Sequence, residues 1–245
     1  MHSNKYIFGY SIILVVLVAT LLSLASLGLK PFQEENIRIE KMQNILAAAN
    51  IETTAANVEA LYDKYIVKEL IVDLNGNVLS EYSKNVNSKK ERAFDINLKI
   101  ALKSINEFKL GKLKDKPKLP VYVFNKDNEL FYIFPLLGQG LWGAIWGNVA
   151  LKEDKNTIIG IQFDHESETP GLGAEINKNS FESSFIGKQI FDEKNNFISV
   201  NIVKNLTQKD LHSVDAISGG TITCNGTKDM LFNCLLNYKE FLKKK

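Results

Sequence analysis

Cysteine and histidine are scarce in this sequence, with two and three residues respectively among 245. Cys224 and Cys234 do not imply a disulfide framework, and no metal-ligand spacing surrounds them. His165 and His212 belong to no Ser-His-Asp or metal-ligating pattern, and an isolated histidine beside acids is typical of a surface or hydrogen-bonded position. We therefore predict no catalytic side chain and no metal site.

A strong charge of one sign is also absent, since 30 Lys and Arg residues face 28 Asp and Glu residues and the net charge is +2. The lysines form no basic stripe with interleaved aromatic residues, so we expect no nucleic-acid partner. The chain has no P-loop, and no Gly-x-Gly-x-x-Gly run opens a helix after a strand. Nothing in the sequence therefore predicts binding of NADH.

One uncharged, mostly apolar run covers residues 7–29. At 1.5 Å per residue this run is long enough to cross a hydrocarbon core of about 30 Å. The apolar core of a cleaved signal peptide is shorter, roughly 7–15 residues, so we interpret the run as a retained membrane anchor. Lys5 before the run and Lys30, Arg38 and Lys41 after it leave the orientation open on charge alone.

A second uncharged run, residues 130–151, is a weaker candidate for a membrane span. It contains Pro135, Gln139, Asn148 and several glycines, which are too many helix breakers and polar groups for a helix facing lipid without partners. The run is better interpreted as a strand, a glycine loop and a second strand. We therefore predict one membrane span.

The remaining pattern predicts an α+β domain on a mainly antiparallel sheet with helices at its ends. We divide the chain into an N-terminal transmembrane anchor at 1–30, a membrane-proximal helical and α+β part at 31–120, and a domain core at 121–245. Residues 32–50 have helical character, and 107–118 are a solvated linker. Strands are predicted at 66–72, 78–79, 121–124, 130–134, 148–152, 157–164 and 197–203.

The most informative motif is the run from Asp215 to Thr223, in which Ser218, Gly219, Gly220 and Thr221 precede an amphipathic helix. The two glycines can adopt φ > 0 and bring backbone N–H groups close to an anion. Unpaired amides at a helix start attract phosphate. The sequence thus predicts a phosphate site, although Ser-Gly-Gly-Thr is also compatible with an ordinary turn.

The helix after this run is expected to begin late. Apolar residues recur at helical spacing from Met230 onward, and Asn225 or Thr227 is placed to cap the helix. Cys234 lies on the apolar face and is expected to be a small core residue.

A second motif, Glu168 to Ile176, reads Glu-Thr-Pro-Gly-Leu-Gly-Ala-Glu-Ile and follows the predicted strand 157–164. Together, in this order and about fifty residues apart, the two motifs resemble the covalent FMN-binding domain of respiratory flavoproteins. In that family the Glu-Thr-Pro-Gly-Leu-Gly loop faces the flavin. The threonine that ends an Asp-x-x-Ser/Thr-Gly-Ala-Thr motif carries FMN as a phosphoester. The resemblance implies one covalent FMN on Thr221, with Thr223 and Ser218 as alternatives.

The resemblance also implies roles for the neighbouring residues. Glu168, Thr169, Leu172 and Gly173 belong to the flavin-facing loop, where Thr169 can bond the polar edge of the ring and Leu172 offers an apolar face. Trp142 either stacks on the flavin or packs in the core.

The remaining residues of the phosphate motif have roles that the residues themselves leave open. Ser218 is a turn residue or a hydrogen-bond donor to the phosphate, and Thr223 is a helix-start residue whose oxygen faces a free N–H. Asp215 either orients the loop, assists metal-dependent attachment or caps locally. The chain has Gly220 where the family usually has alanine, which adds entropy to be lost on ordering.

The run Gly138-Gln139-Gly140-Leu141-Trp142-Gly143 narrows the resemblance to the C subunits of the sodium-translocating NADH:quinone reductases. The similar G subunit of the Rnf complexes usually differs there. This resemblance implies an electron-carrier subunit without complete activity alone, other membrane subunits as partners, and maturation by a flavin transferase that uses FAD and Mg²⁺. It also implies a single-pass protein of the inner membrane with its flavin domain in the periplasm. The alternatives are the Rnf subunit and a tethered extracytoplasmic sensor that binds a small anion.

Overall fold

The computed structural model describes residues 3–84, 90–206 and 210–244. It contains two compact units, residues 1–41 and residues 42–245. Helix α1, Asn4–Ala47, forms the first unit up to residue 41, and its last residues belong to the second unit. The apolar side chains between Tyr6 and Leu29 are exposed. Within the described ranges it is the one helix long and apolar enough to cross a membrane. The predicted span at 7–29 and the predicted helical stretch that follows it belong to one helix. Pro31 lies inside this helix, where it removes one backbone hydrogen bond but does not end the helix.

The second unit is built on a six-stranded antiparallel sheet in the order β2-β1-β3-β4-β5-β6. Its strands are β1 Ile66–Val72, β2 Val78–Tyr82, β3 Leu119–Lys126, β4 Glu129–Gln139, β5 Ala144–Lys152 and β6 Ile158–His165. A short parallel pair, β7 Asn201–Val203 and β8 Ser213–Asp215, lies outside this sheet. The predicted α+β class with a mainly antiparallel sheet is confirmed.

The helices after α1 are mostly short. They are α2 Val58–Tyr65, α3 Leu98–Lys109, α4 Asn179–Glu182, α5 Thr221–Asn237 and α6 Lys239–Lys243, with 3-10 turns at Ala93–Asp95, Gly173–Asn177 and Ser183–Phe185.

Both faces of the sheet are covered, because successive side chains of a strand point to opposite faces. On one face Phe134 of β4 meets Tyr238, just after α5, with ring centroids 5.0 Å apart. On the other face Phe124 of β3 stacks on Tyr65 of α2 at 5.3 Å. This double burial explains why β3 is apolar along nearly its whole length.

Residues 130–151 form β4 and β5, so the prediction of two strands instead of a membrane span is confirmed. The predicted strand at 197–203 shortens to β7, and the predicted linker at 107–118 begins inside α3. Helix α3 was not predicted, although Asn97 is a typical N-cap residue: it accepts a hydrogen bond from the Ile100 N–H at 3.2 Å and caps the helix.

The start of α5 also differs from the prediction. The helix begins at Thr221, so Asn225 and Thr227 lie inside it and cap nothing. Thr227 is buried, and its hydroxyl donates to the Thr223 carbonyl oxygen at 2.9 Å. The apolar spacing failed to mark this start because the first turn of α5 carries polar residues. Cys234 is buried, as expected of a core residue.

We expect residues 31–245, expressed alone, to be folded and monomeric without detergent, because most of the exposed apolar surface of α1 is removed. A chain shortened further to 51–245 also loses Met42, Ile45 and Leu46, which are at most 4% exposed. Each such loss costs about 2–5 kcal/mol, so the free energy of unfolding should fall sharply. Light scattering and urea titration measure both outcomes. Detergent dependence of residues 31–245 would contradict the assignment of the lipid-facing surface to the removed helix.

Candidate functional site

Three loops meet at one end of the sheet. The first is the tip of the β4–β5 hairpin, where the Gly140 N–H donates to the Gly143 carbonyl at 2.9 Å. The second follows β6 and contains the Glu168–Ile176 motif, and the third joins β8 to α5. The two sequence motifs are thus neighbours in space, although about fifty residues separate them in the chain.

Glu168 joins all three parts of this site. Its side chain is buried, and its carboxylate accepts hydrogen bonds from the Thr223 hydroxyl and, at 2.8 Å, from the Trp142 N–H. Burial raises the pKa of this carboxyl, but the bonds from Thr223 and from the N–H groups of residues 141–143 outweigh burial, so its pKa lies below the ordinary value. Glu168 is therefore an anion held by protein groups.

Leu172 and Gly219 form a second contact between the motifs. Gly219 has φ +77°, and a Cβ at that position would lie 2.5 Å from Leu172 Cδ2. The loop around Leu172 is closed by hydrogen bonds from the Leu172 and Ala174 N–H groups to the Thr169 carbonyl, both 3.1 Å. Leu172 remains 42% exposed, so it has an apolar surface available to a ligand.

The start of α5 has the properties of an anion site. Gly220 is the N-cap residue, it offers no capping side chain, and the first turn carries no acidic residue. The first N–H groups of a helix have no partner within the helix and carry partial positive charge. Thr221 is the first helical residue and is partly buried, so it belongs to the turn that carries these N–H groups.

The other candidates in this motif are placed differently. Thr223 lies at the helix start as expected, as the third residue of α5, but its hydroxyl donates to Glu168 instead of accepting from a free N–H. Asp215 accepts a hydrogen bond from the Leu206 N–H at 2.7 Å and so holds the preceding loop. Ser218 is exposed on the loop.

The hairpin tip presents apolar side chains to solvent. Trp142 is 66% exposed, so the alternative that it packs in the core is wrong. Residues 138–143 do have Gly-x-Gly-x-x-Gly spacing, but they connect two strands and open no helix. This is not the strand-to-helix turn that binds dinucleotides.

Two residues outside both motifs also make hydrogen bonds that support the site. His165 Nδ1 accepts a hydrogen bond from the Glu168 N–H at 3.2 Å, which is the hydrogen-bonded role considered for it. Cys224 Sγ accepts a bond from the Ile217 N–H at 3.3 Å and holds the loop before α5. No local sequence pattern identifies these contacts, because they depend on how the loops pack.

The region that contains the three loops is similar to known proteins. A family model described as an FMN-binding domain matches residues 140–236, which include all three loops and nearly all of α5. The C subunit of the Na(+)-translocating NADH-quinone reductase of Vibrio parahaemolyticus is 32% identical over 231 residues, covering 91% of this chain and 85% of the relative. The same subunit of Pseudomonas aeruginosa is 32% identical and covers 89% and 88%.

Two crystal structures are similar over most of their length. The C subunit of the Na(+)-translocating NADH-quinone reductase from Parabacteroides distasonis has a TM-score of 0.75 and 37% identity, with 89% of this chain and 98% of that chain covered. NqrC from Shewanella oneidensis has a TM-score of 0.66 and 29% identity, with 84% and 95% covered. The resemblance derived from the two motifs is confirmed.

We expect two adjacent glycines in the site to differ in how strongly they respond to alanine. Gly219→Ala adds a methyl group at positive φ and against Leu172, which should destabilise the protein by about 1–2 kcal/mol. Gly220 has a φ of −94°, which alanine adopts without strain, and its new Cβ would meet Ile217 Cγ2 at 3.3 Å, which requires only a small shift of that side chain. Gly220→Ala should therefore change the stability by less, about 0.5 kcal/mol. Denaturant unfolding of both variants measures this difference. Equal effects would contradict the described contact between the loops.

Proposed function

Because this chain belongs to the family of Na(+)-translocating NADH-quinone reductase C subunits, we propose that it carries one FMN as a phosphoester on Thr221. In this proposal the chain relays electrons inside a membrane complex that oxidises NADH, reduces quinone and exports Na⁺. The observation that carries it is the contact between the loop containing Leu172 and the start of α5. That contact brings a surface suited to a ring beside a position suited to its phosphate.

Thr221 is the hydroxyl best placed for attachment. The hydroxyl of Thr223 is buried and donates to Glu168, so it is not available to a phosphorus atom. Ser218 lies before the glycines, away from the first helical residue. The free N–H groups at the start of α5 can hold the phosphate oxygens once the ester forms.

Attachment requires a phosphoryl donor and another enzyme. The Thr221 oxygen attacks the phosphorus of the FMN half of FAD, the bond between the two phosphates breaks, and AMP leaves as the hydroxyl proton passes to a base. Among the described residues no group of three or more His, Cys, Asp or Glu side chains could hold a metal ion. In this proposal the Mg²⁺ and the base belong to a separate flavin transferase, as the family resemblance implies.

The bound FMN supplies the electron-transfer chemistry, and the chain supplies attachment, orientation and exclusion of water. The α5 N-terminus holds the phosphate, Thr169 and Leu172 face the ring, and Trp142 is placed to stack beside it. Helix α1 anchors the domain, which we place on the periplasmic side. The NADH site and the Na⁺ path belong to other subunits, since an apolar single span provides no polar route for an ion.

Thr221→Ala should abolish covalent flavin without unfolding the protein, because it removes the one oxygen that bonds phosphorus and opens no core cavity. The test is intact mass and in-gel flavin fluorescence after co-expression with a flavin transferase. Thr221→Ser retains a hydroxyl and should retain the modification. Ser218→Ala should be modified like the parent.

A Thr221→Ala protein that fluoresces like the parent would move the attachment to Ser218 or Thr223. A parent chain that gains no FMN mass in the presence of the transferase would reject covalent attachment altogether.

Charges placed at position 172 should shift the flavin reduction potential in opposite directions, because Leu172 is expected to face the ring. Leu172→Lys stabilises anionic reduced flavin and should raise the potential, whereas Leu172→Glu should lower it. A change of about 1.4 kcal/mol in the free energy of the reduced flavin relative to the oxidised flavin corresponds to about 60 mV for one electron. Spectroelectrochemical titration of the loaded variants measures the shifts. Identical potentials in both variants would show that this loop does not face the ring.

A further inference from the structure

Glu168 is a charged side chain buried inside the site, only 4% exposed, and both of its carboxylate oxygens are engaged. Oε1 accepts the Trp142 N–H of the hairpin tip, and Oε2 accepts the Thr223 hydroxyl of α5. One side chain therefore connects the loop expected to face the ring with the helix expected to carry the phosphate. Burying an ionised carboxylate is unfavourable unless such hydrogen bonds compensate.

The surrounding chain is shaped to hold this carboxylate. A Cβ at Gly140 would lie 2.5 Å from Glu168 Oε1. A Cβ at Gly173 would overlap both Glu168 Oε2 and Thr223 Oγ1. Glycines thus leave room on two sides of the carboxylate. This observation is independent of the hydrogen bonds, and both indicate that the surrounding chain accommodates a carboxylate at this position.

The charge of Glu168 also complements α5. The first turn of this helix contains no acidic residue and Gly220 provides no side-chain cap. Glu168 supplies the missing negative charge from another loop through Thr223, the third helical residue. An anion near a helix N-terminus stabilises the helix.

We propose that Glu168 is a positioning residue that locks the Leu172 loop and the Thr221-bearing helix into one geometry, so that flavin attachment and the ring environment depend on it although it does not contact the flavin. This inference rests on the proposed attachment at Thr221. The phosphoester would add a second anion at the same helix start. Because Glu168 is itself negative, it disfavours the negative charge of the reduced flavin ring. Removing the charge of Glu168 should therefore raise the reduction potential.

The test compares four full-length variants, each co-expressed with the flavin transferase. Glu168→Gln removes the charge at constant size, and Thr223→Val removes the hydroxyl at nearly constant shape. Thr223→Ser restores the hydroxyl and is the rescue variant. Glu166→Gln is the matched control, since Glu166 is exposed and accepts the Ala144 N–H at 3.1 Å from the same hairpin.

We expect Glu168→Gln and Thr223→Val to slow covalent attachment, followed by intact mass, by about tenfold or more, the effect of losing a hydrogen bond to a charged group. Thr223→Ser and Glu166→Gln should be loaded at the parental rate. The flavin that does attach to Glu168→Gln should show a higher reduction potential than the parent. Thermal unfolding of each substitution in the Thr221→Ala background measures stability without flavin.

Attachment at the parental rate in Glu168→Gln and Thr223→Val would overturn this inference and leave the proposed function intact. The inference would also be overturned if the loss of attachment in each variant matched its unfolded fraction and the flavin reduction potential were unchanged. The role of Glu168 would then be purely structural. A parent that acquires no FMN would overturn both proposals.

Discussion

The hydrogen bonds of the buried Glu168 carboxylate are the interaction on which the site depends. They join a hairpin tip, a loop after an edge strand and the first turn of a helix, none of which has a core of its own. Because an unpaired buried charge is unfavourable, the three parts are stable together and poorly tolerated apart. Together with the contact between Leu172 and Gly219, these hydrogen bonds hold the two loops and the helix end in one geometry.

The register of α5 on β4 sets where its first residue lies. Three positions one turn apart follow consecutive residues of the strand: Gly226 approaches Gln139, Met230 packs on Gly138, and Cys234 Sγ lies 3.3 Å from the Leu137 carbonyl oxygen. A displacement of one turn would move the helix start by about 5.4 Å and break the bond to Glu168. The packed sheet therefore determines the distance between Thr221 and the hairpin tip.

Much of the architecture followed from local patterns. The apolar run at 7–29 does lie in one long helix, and the strand at 66–72 and the two strands in the glycine-interrupted run at 130–151 were assigned correctly. Length and composition mark the helix, and burial imposes the periodicity of the strands. The start of α5 was placed too late, since its first turn carries two threonines and is stabilised by Glu168, which lies 53 positions before Thr221. Helix α3 was missed although Asn97 marks its start.

By itself the sequence determined the membrane-length helix, the α+β class and the two loop motifs whose resemblance led to the FMN-binding family, because these depend on composition, periodicity and short contiguous runs. Tertiary structure alone decided that Thr223 is engaged by Glu168, that Trp142 is exposed and that Leu172 touches Gly219. Those facts depend on contacts between segments far apart in the chain. Short stretches of sequence do not predict which segments come into contact, because the packing of the whole sheet and α5 brings these segments together.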